Sequence, residues 1–307
     1  MPSAKSQFTE RLGSLRQSLE IEAVTNESLS EAVQNRVAKM LRNGLAVVGF
    51  AALEDFIKSR TSEVLDGVGL TGVPFANLPK KLREATTFGA ISSLSYQLSL
   101  RAKTDRTAYI QEHAQKIAST ANTAYELTPH ALGYGQANLQ GLTVKETLNA
   151  FSISDPWAQM TALGSRLGLV ALPLEETFKS AAIRRHKAAH VANADTPQSD
   201  LRQYIKESLA IAIGFDWLIS NALKRLVVQD LDYLTAADTP NVGAMKIRSI
   251  RYQSGQWKEQ LEDRLRAVKV DSDRSSLINL ARPRASQHGN LFVVYDDAAE
   301  IESWECF

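Results

Sequence analysis

The stretch PLEETFKSAAIRRHKAAHVANAD, residues 173 to 195, concentrates the side chains with the most chemistry to offer. No acidic residue stands between Glu176 and Asp195, so Lys179, Arg184, Arg185 and Lys187 give the segment between those two acids a formal charge of +4 with its histidines neutral. An arginine presents a rigid fork of donors to a phosphate, and a histidine titrates near neutrality. Phosphodiester cleavage needs both: a cation for the charged phosphorane and a group that moves protons. The chain as a whole carries only +1 over 307 residues, so any RNA it binds must be held by a local patch, and this stretch is that patch.

Pro173 is suited to open a helix running to about Ala194, because a proline in the first turn forfeits no hydrogen bond. Asp195, Thr196 and Pro197 stop it. At 100° per residue, Leu174, Phe178, Ala181, Ala188 and Ala192 form one core-facing stripe, and Arg185 falls inside it. His186, His190 and Asn193 fall on a neighbouring face, with Ala182 and Ala189 between them and Arg185. The result is a floor of small residues with polar edges, open to a phosphate backbone or a second helix. A guanidinium on the core stripe needs a partner, and Glu54 in ALEDF is the candidate acid. Arg185 and His190 diverge by about 140° around one helix. A two-fold homodimer, facing the histidine of one copy toward the arginine of the other, removes that difficulty.

Arg185, four residues, then His190, with the polar His186 directly after the arginine, resembles the R-x4–6-H signature of HEPN-superfamily ribonucleases, the RiboL-PSP-HEPN type among them. The context adds weight. The motif lies late in one amphipathic helix, a second strong helix follows at once, and NGLAVVGFAALEDFIKSR upstream looks like the apolar first helix of such domains. The resemblance covers roughly residues 35 to 65 and 173 to 228. It implies a four-helix bundle that dimerises around paired motifs and cleaves RNA by attack of the substrate's own 2′-hydroxyl, without metal or other cofactor. His190 would then move protons, Arg185 would orient or stabilise the phosphate, and His186 would assist, while Arg184, Lys187 and Asn193 would hold substrate. By analogy with the family, a toxin or antiviral defence role follows, with an antitoxin or defence-system protein as partner. A non-catalytic module of the same type, binding RNA, a nucleotide or an antitoxin, is the alternative.

Other readings of the same residues are weaker. His186 and His190 have the i, i+4 spacing of two zinc ligands, but Lys187 stands where HEXXH would place its glutamate, and no third ligand is identifiable. A basic helix end favoured by the macrodipole explains the cations without explaining Arg185 on the core stripe. ALGYGQANLQG lacks both the preceding strand and the GK[ST] of a phosphate loop. His113 and His130 read as lone, locally satisfied histidines. Lys246, Arg248, Arg251, Arg274, Arg282 and Arg284 read as a solvated face, since five acidic groups occupy the last twelve residues.

Apolar residues at 44% and charged residues at 22% are ordinary for a globular chain. A lone cysteine, Cys306, excludes an intrachain disulfide framework and any multi-cysteine zinc site. The charged N-terminus does not read as a signal peptide, and no apolar run reaches membrane length, so the expected address is cytoplasmic, with no membrane partner.

The elements that must position the patch are mainly helical. Helical periodicity is expected over residues 5 to 20 and from Ser28 to Asp66, the latter opened by a Ser28–Glu31 capping box. Residues 67 to 79, with three Gly and two Pro, form a loop. Helices follow at about 80 to 101, 104 to 127, 143 to 151, 156 to 167, and Ser199 to Val228, the last apolar enough to be the central bundle element. The expected fold is thus mainly α, a HEPN-like bundle over residues 1 to 240 with inserted helices at about 67 to 155. Residues 241 to 307 form a small α/β unit, in which KIRSIRYQ and NLFVVYDD are strands and WKEQLEDRLRAV is a helix between them.

Overall fold

The structure, a computed structural model, describes residues 3–28 and 30–307. It is mainly helical, with a small C-terminal sheet. Helix α1 (Ala4–Ser18) packs along α2 (Ala32–Gly69). Burial of Phe8 against Phe56, ring centroids 4.9 Å apart, fixes that contact. The capping box does not form. Glu31 occupies the N-cap of α2 without a side-chain bond, and the Ser28 hydroxyl pairs with that of Ser30. Asn35 reaches back instead, its Oδ1 accepting from Glu27 N–H at 2.7 Å and its Nδ2 donating to Ser28 O at 3.0 Å.

Helix α2 runs past Asp66 to Gly69, and the Gly/Pro-rich loop follows. Next come α3 (Lys80–Glu84), a π-helical turn (Ala85–Gly89), α4 (Ala90–Leu100) and α5 (Arg106–Ser119). Helix α5 stops eight residues before the expected 127 because the Ser119 hydroxyl accepts Glu126 N–H at 3.0 Å, turning the chain back. Then α6 (Gly141–Ala150), α7 (Pro156–Arg166), α8 (Leu174–His190) and α9 (Gln198–Val227) complete the bundle, with a short α10 (Leu231–Leu234) after it.

Helix α9 is buried without interruption from Glu207 to Ile219, as its apolar composition demands. Close approach of α7 depends on Gly214: a Cβ there would stand 2.8 Å from Met160 Cγ. On the other side Phe178 of α8 stacks between Phe50 of α2 at 5.3 Å and Trp157 of α7 at 5.5 Å. Helix α8 is therefore wedged against α2 and α7 by large rings, and it packs on α9 as well.

The tail forms β1 (Ile247–Gln253), β2 (Gln256–Leu261), β3 (Lys269–Asp271), α11 (Arg274–Gln287), β4 (Leu291–Tyr295) and β5 (Ile301–Cys306), in sheet order β3-β2-β1-β4-β5. The two expected strands are present. The helix expected at WKEQLEDRLRAV is not: Ser254 and Gly255 take φ of 55° and 79°, a tight turn that pairs Gln253 with Gln256 and makes the segment's first half an antiparallel strand. The helix lies later, at α11, and its crossover makes β1 and β4 parallel. Strand β4 is buried on both faces, with Phe292 and Val294 packing toward α11 while Leu291, Val293 and Tyr295 join the bundle core. Asp216 of α9 ties the two parts together, accepting from Trp304 Nε1 of β5 at 2.8 Å, Arg60 Nε of α2 at 2.6 Å and Lys5 Nζ of α1 at 3.2 Å.

Candidate functional site

Helix α8 begins at Leu174, with Pro173 at its N-cap and Leu174 N–H donating to Thr161 Oγ1 at 3.0 Å. Glu175 and Glu176 in the first turn suit the positive end of the dipole. They also claim Lys179, at 3.2 and 2.9 Å. Arg184 lies half-buried 3.9 Å from Asp200. The positive charge of this segment is thus partly neutralised in three dimensions, and its cations without an ion pair among the described residues are Arg185 and Lys187.

The helix ends at His190, four residues short of the expected Ala194. Two residues of α2 hold the segment that follows. Asn43 Nδ2 donates to Ala194 O at 2.8 Å, while its Oδ1 accepts from Thr196 N–H at 3.1 Å and Thr196 Oγ1–H at 3.0 Å. Arg42, only 3% exposed, donates to Thr196 O, to Val24 O and to Asn26 Oδ1, each at 2.9 Å, and to Asp195 Oδ1 at 2.7 Å. Those bonds pull residues 191 to 197 off the helical path, and Ala192, expected on the core stripe, is exposed. Arg42→Ala is expected to cost about 2 kcal/mol and to accelerate amide hydrogen exchange at Thr196, which checks the anchoring directly.

Asn193, no longer on a helical face, still meets His190. Both line a groove of about 620 Å³ between the C-terminal end of α8 and the first half of α2. Its floor is small, with Gly44, Ala188, Ala189 and Ala192, and its rim carries Arg36 and Lys39 with no acidic residue. Arg36, Lys39, Arg42 and Asn43 were not singled out in the sequence. The visible signal is that RVAKMLRN places four polar side chains at the head of an otherwise apolar helix. His190 and His186 are exposed, their ring centroids 4.9 Å apart. Among the described residues no cluster of three His, Cys, Asp or Glu side chains is placed to hold a metal ion.

Arg184, Arg185, His186 and Lys187 do not line this groove. Arg185 is half-buried, and its Nε is buried without a hydrogen-bond partner. The expected ion pair with Glu54 does not form. Glu54 Oε1 instead accepts Leu139 N–H from the link before α6, which gives the acid a closer donor. Burial pushes the Glu54 carboxyl above the usual range, and the Leu139 hydrogen bond and the charges of Lys58 and Arg185 hold that rise in check. So a single chain brings His190, Asn193, Arg36 and Lys39 together and leaves Arg185 on another face with donors to spare.

Around the groove α2 exposes Val33, Val37, Met40, Leu41 and Val48, and Ile183 of α8 and Val191 just after it are exposed as well. The α2 residues recur at helical spacing and form one apolar stripe. A larger cavity, about 910 Å³, lies between the start of α3 and α10 and contains no histidine. His113 and His130 are not lone: their rings meet at 4.9 Å, beside Tyr109 and Tyr134, and His113 Nδ1 pairs with Thr128 Oγ1 at 2.9 Å. Burial brings the His130 imidazole down to about 4, so it stays neutral near pH 7 and packs as an aromatic. Among the described residues no helix is long and apolar enough to cross a membrane.

No protein-family model matches this chain, and no curated protein or solved structure shows significant similarity to it.

Proposed function

We propose that the chain is a metal-independent endoribonuclease of HEPN type, working as a homodimer. The observation that carries this reading is the setting of His190: an exposed imidazole at a helix end, in a cation-rimmed groove without a carboxylate. Such a groove attracts a phosphodiester and presents to it an imidazole, a side chain that can donate or accept a proton.

In the proposed reaction the 2′-oxygen of the RNA attacks the adjacent phosphorus and the bond from phosphorus to the 5′-oxygen breaks. The 2′-hydroxyl proton is given up and the leaving oxygen gains one, both through His190 and His186 or through water. Products are a 2′,3′-cyclic phosphate and a 5′-hydroxyl. Arg36, Lys39 and Asn193 hold the substrate's phosphates, with Lys187 and Arg184 on the approach. The phosphorane's charge requires a guanidinium at the reacting phosphate. The motif's Arg185 has a buried Nε without a hydrogen-bond partner and lies on another face of its own helix, while Arg36 is the guanidinium already in the groove. Supply from a second copy, docked through the apolar stripe of α2, meets that requirement.

The separation of Arg185 from His190 within one chain favours a second reading, a module of the same type that holds RNA, a nucleotide or an antitoxin without turnover. The biological role in either case is that of a cytoplasmic toxin or antiviral defence protein. Incubation with labelled single-stranded RNA in EDTA separates the readings: cleavage to cyclic phosphate and 5′-hydroxyl ends is expected. Binding without cleavage of varied RNAs supports the second reading, and cleavage restored only by added zinc contradicts the metal-free mechanism.

A further inference from the structure

The C-terminal unit contains a second cationic cavity that the ribonuclease reading does not use. It measures about 490 Å³ and is lined by Lys246, Arg248, Arg264, Arg284, His288 and Asn290, with no acidic residue on its wall. Behind the wall lies Glu259, fully buried. Its Oε1 accepts from Arg248 Nη1 and from Arg284 Nε at 3.1 Å, and its Oε2 accepts from Arg284 Nη2.

One carboxylate thus serves two guanidiniums, leaving a surplus positive charge. The Arg248 side chain is only 5% exposed, and its plane is fixed by donation from Nε to Asn290 Oδ1 at 3.0 Å. Arg248 Nη2 and Arg284 Nη1 make no hydrogen bond among the described residues. Arg264 adds a further cation that forms no ion pair, whereas Lys246 is held by Asp263 at 2.5 Å. A guanidinium held in a fixed plane with a donor left open, next to a second one and a third cation, is a setting that an anion completes.

We propose that this cavity binds a phosphomonoester. The surplus of two charges from the Arg248–Glu259–Arg284 triad and Arg264 matches the charge of a phosphomonoester near neutral pH. Tetrahedrally placed oxygens suit several fixed forks at once. The volume is that of a small-molecule site, so the phosphate group enters with a body of nucleotide size, whether a free nucleotide or the phosphorylated end of an RNA. The proposal stands independently of the ribonuclease reading.

The test is calorimetric titration of the full-length protein with inorganic phosphate and with 5′-AMP. Saturable binding of both, with mutual competition, is expected. Arg264→Ala leaves the triad intact and should weaken binding about tenfold, whereas Glu259→Gln removes the cavity's counter-charge and should tighten it about tenfold. A purely structural triad gives neither change. Should Glu259→Gln fail to fold, Arg264→Glu takes its place and is expected to abolish binding. A 5′-phosphorylated oligonucleotide compared with its 5′-hydroxyl counterpart identifies the source: preference for the phosphorylated strand over AMP assigns an RNA end, and no such preference assigns a free nucleotide. Absence of saturable binding of phosphate and AMP up to about 10 mM would overturn the proposal, as would binding indifferent to both substitutions at Arg264.

Discussion

Mixing the Arg185→Ala and His190→Ala variants, each inactive alone, is expected to restore RNA cleavage to about a quarter of the wild-type level. The value follows from composite sites. Random subunit exchange makes about half of the dimers mixed, and in each mixed dimer one of the two sites pairs an intact arginine from one copy with an intact histidine from the other. The proposed role of a second copy rests on the geometry of α8, where His190 lines the groove against α2 and Arg185 lies outside it with a buried, unpartnered Nε. Mass measurement on differently tagged copies verifies the exchange. A mixture that stays inactive after full exchange means that arginine and histidine do not act across copies.

Asp216→Ala is expected to destabilise the fold by about 3–5 kcal/mol, because it removes the shared acceptor of Arg60 and Lys5 and strands the buried indole N–H of Trp304. Asp216 is fully buried and receives Lys5, Arg60, Ser220 and Trp304, so one carboxylate joins α1, α2, α9 and β5. Arg60 retains Glu63 at 2.9 Å, but the buried indole N–H of Trp304 retains nothing. Burial acting alone would raise the Asp216 carboxyl. The charges of Lys5 and Arg60, with the hydrogen bonds from Arg60 and Trp304, outweigh it and hold the group at about 2. A carboxyl depressed in the folded state contributes stability above the ordinary carboxylate range and loses it as pH falls from about 4 toward 2. Denaturant unfolding followed by circular dichroism should show that acid-limb loss in the native protein and a flatter limb in Asp216→Asn. A loss below about 1 kcal/mol in Asp216→Ala contradicts the assigned role of this junction.

Where the chain's own periodicity decides the structure, the sequence was readable. Helix α9 carries an unbroken apolar run over residues 209 to 215 and becomes the centre of the bundle, and Pro173 marks the start of α8 within a residue. Strand β4 follows from its apolar run LFVVY, and β1 from the β-formers Ile247, Ile250 and Tyr252 set among polar residues. What escaped reading depends on distant partners or on a turn. The end of α8 is set by Arg42 and Asn43, roughly 150 positions earlier, which bond the backbone of Ala194 and Thr196 more favourably than another helical turn does. WKEQLEDRLRAV has helical composition throughout, and two residues with positive φ before it override that preference.

The candidate site shows the same division. Residue type and spacing point to Arg185, His186 and His190, and of these three His190 lines the groove. The cations that share the groove with His190, Arg36 and Lys39, come from another helix and become visible only once α2 and α8 are packed. Glu54 was the reasonable acid for Arg185 by proximity in the bundle, but Leu139 N–H takes its Oε1, a pairing between residues 85 positions apart.

The most direct measurement is cleavage of labelled single-stranded RNA in EDTA by the wild-type protein beside His190→Ala, with far-UV circular dichroism and dimer mass recorded for both. The account predicts cleavage by the wild type and none by the variant, at equal helicity and mass. Undiminished cleavage by a folded, dimeric His190→Ala protein would remove His190 from the chemistry and contradict the account at its centre.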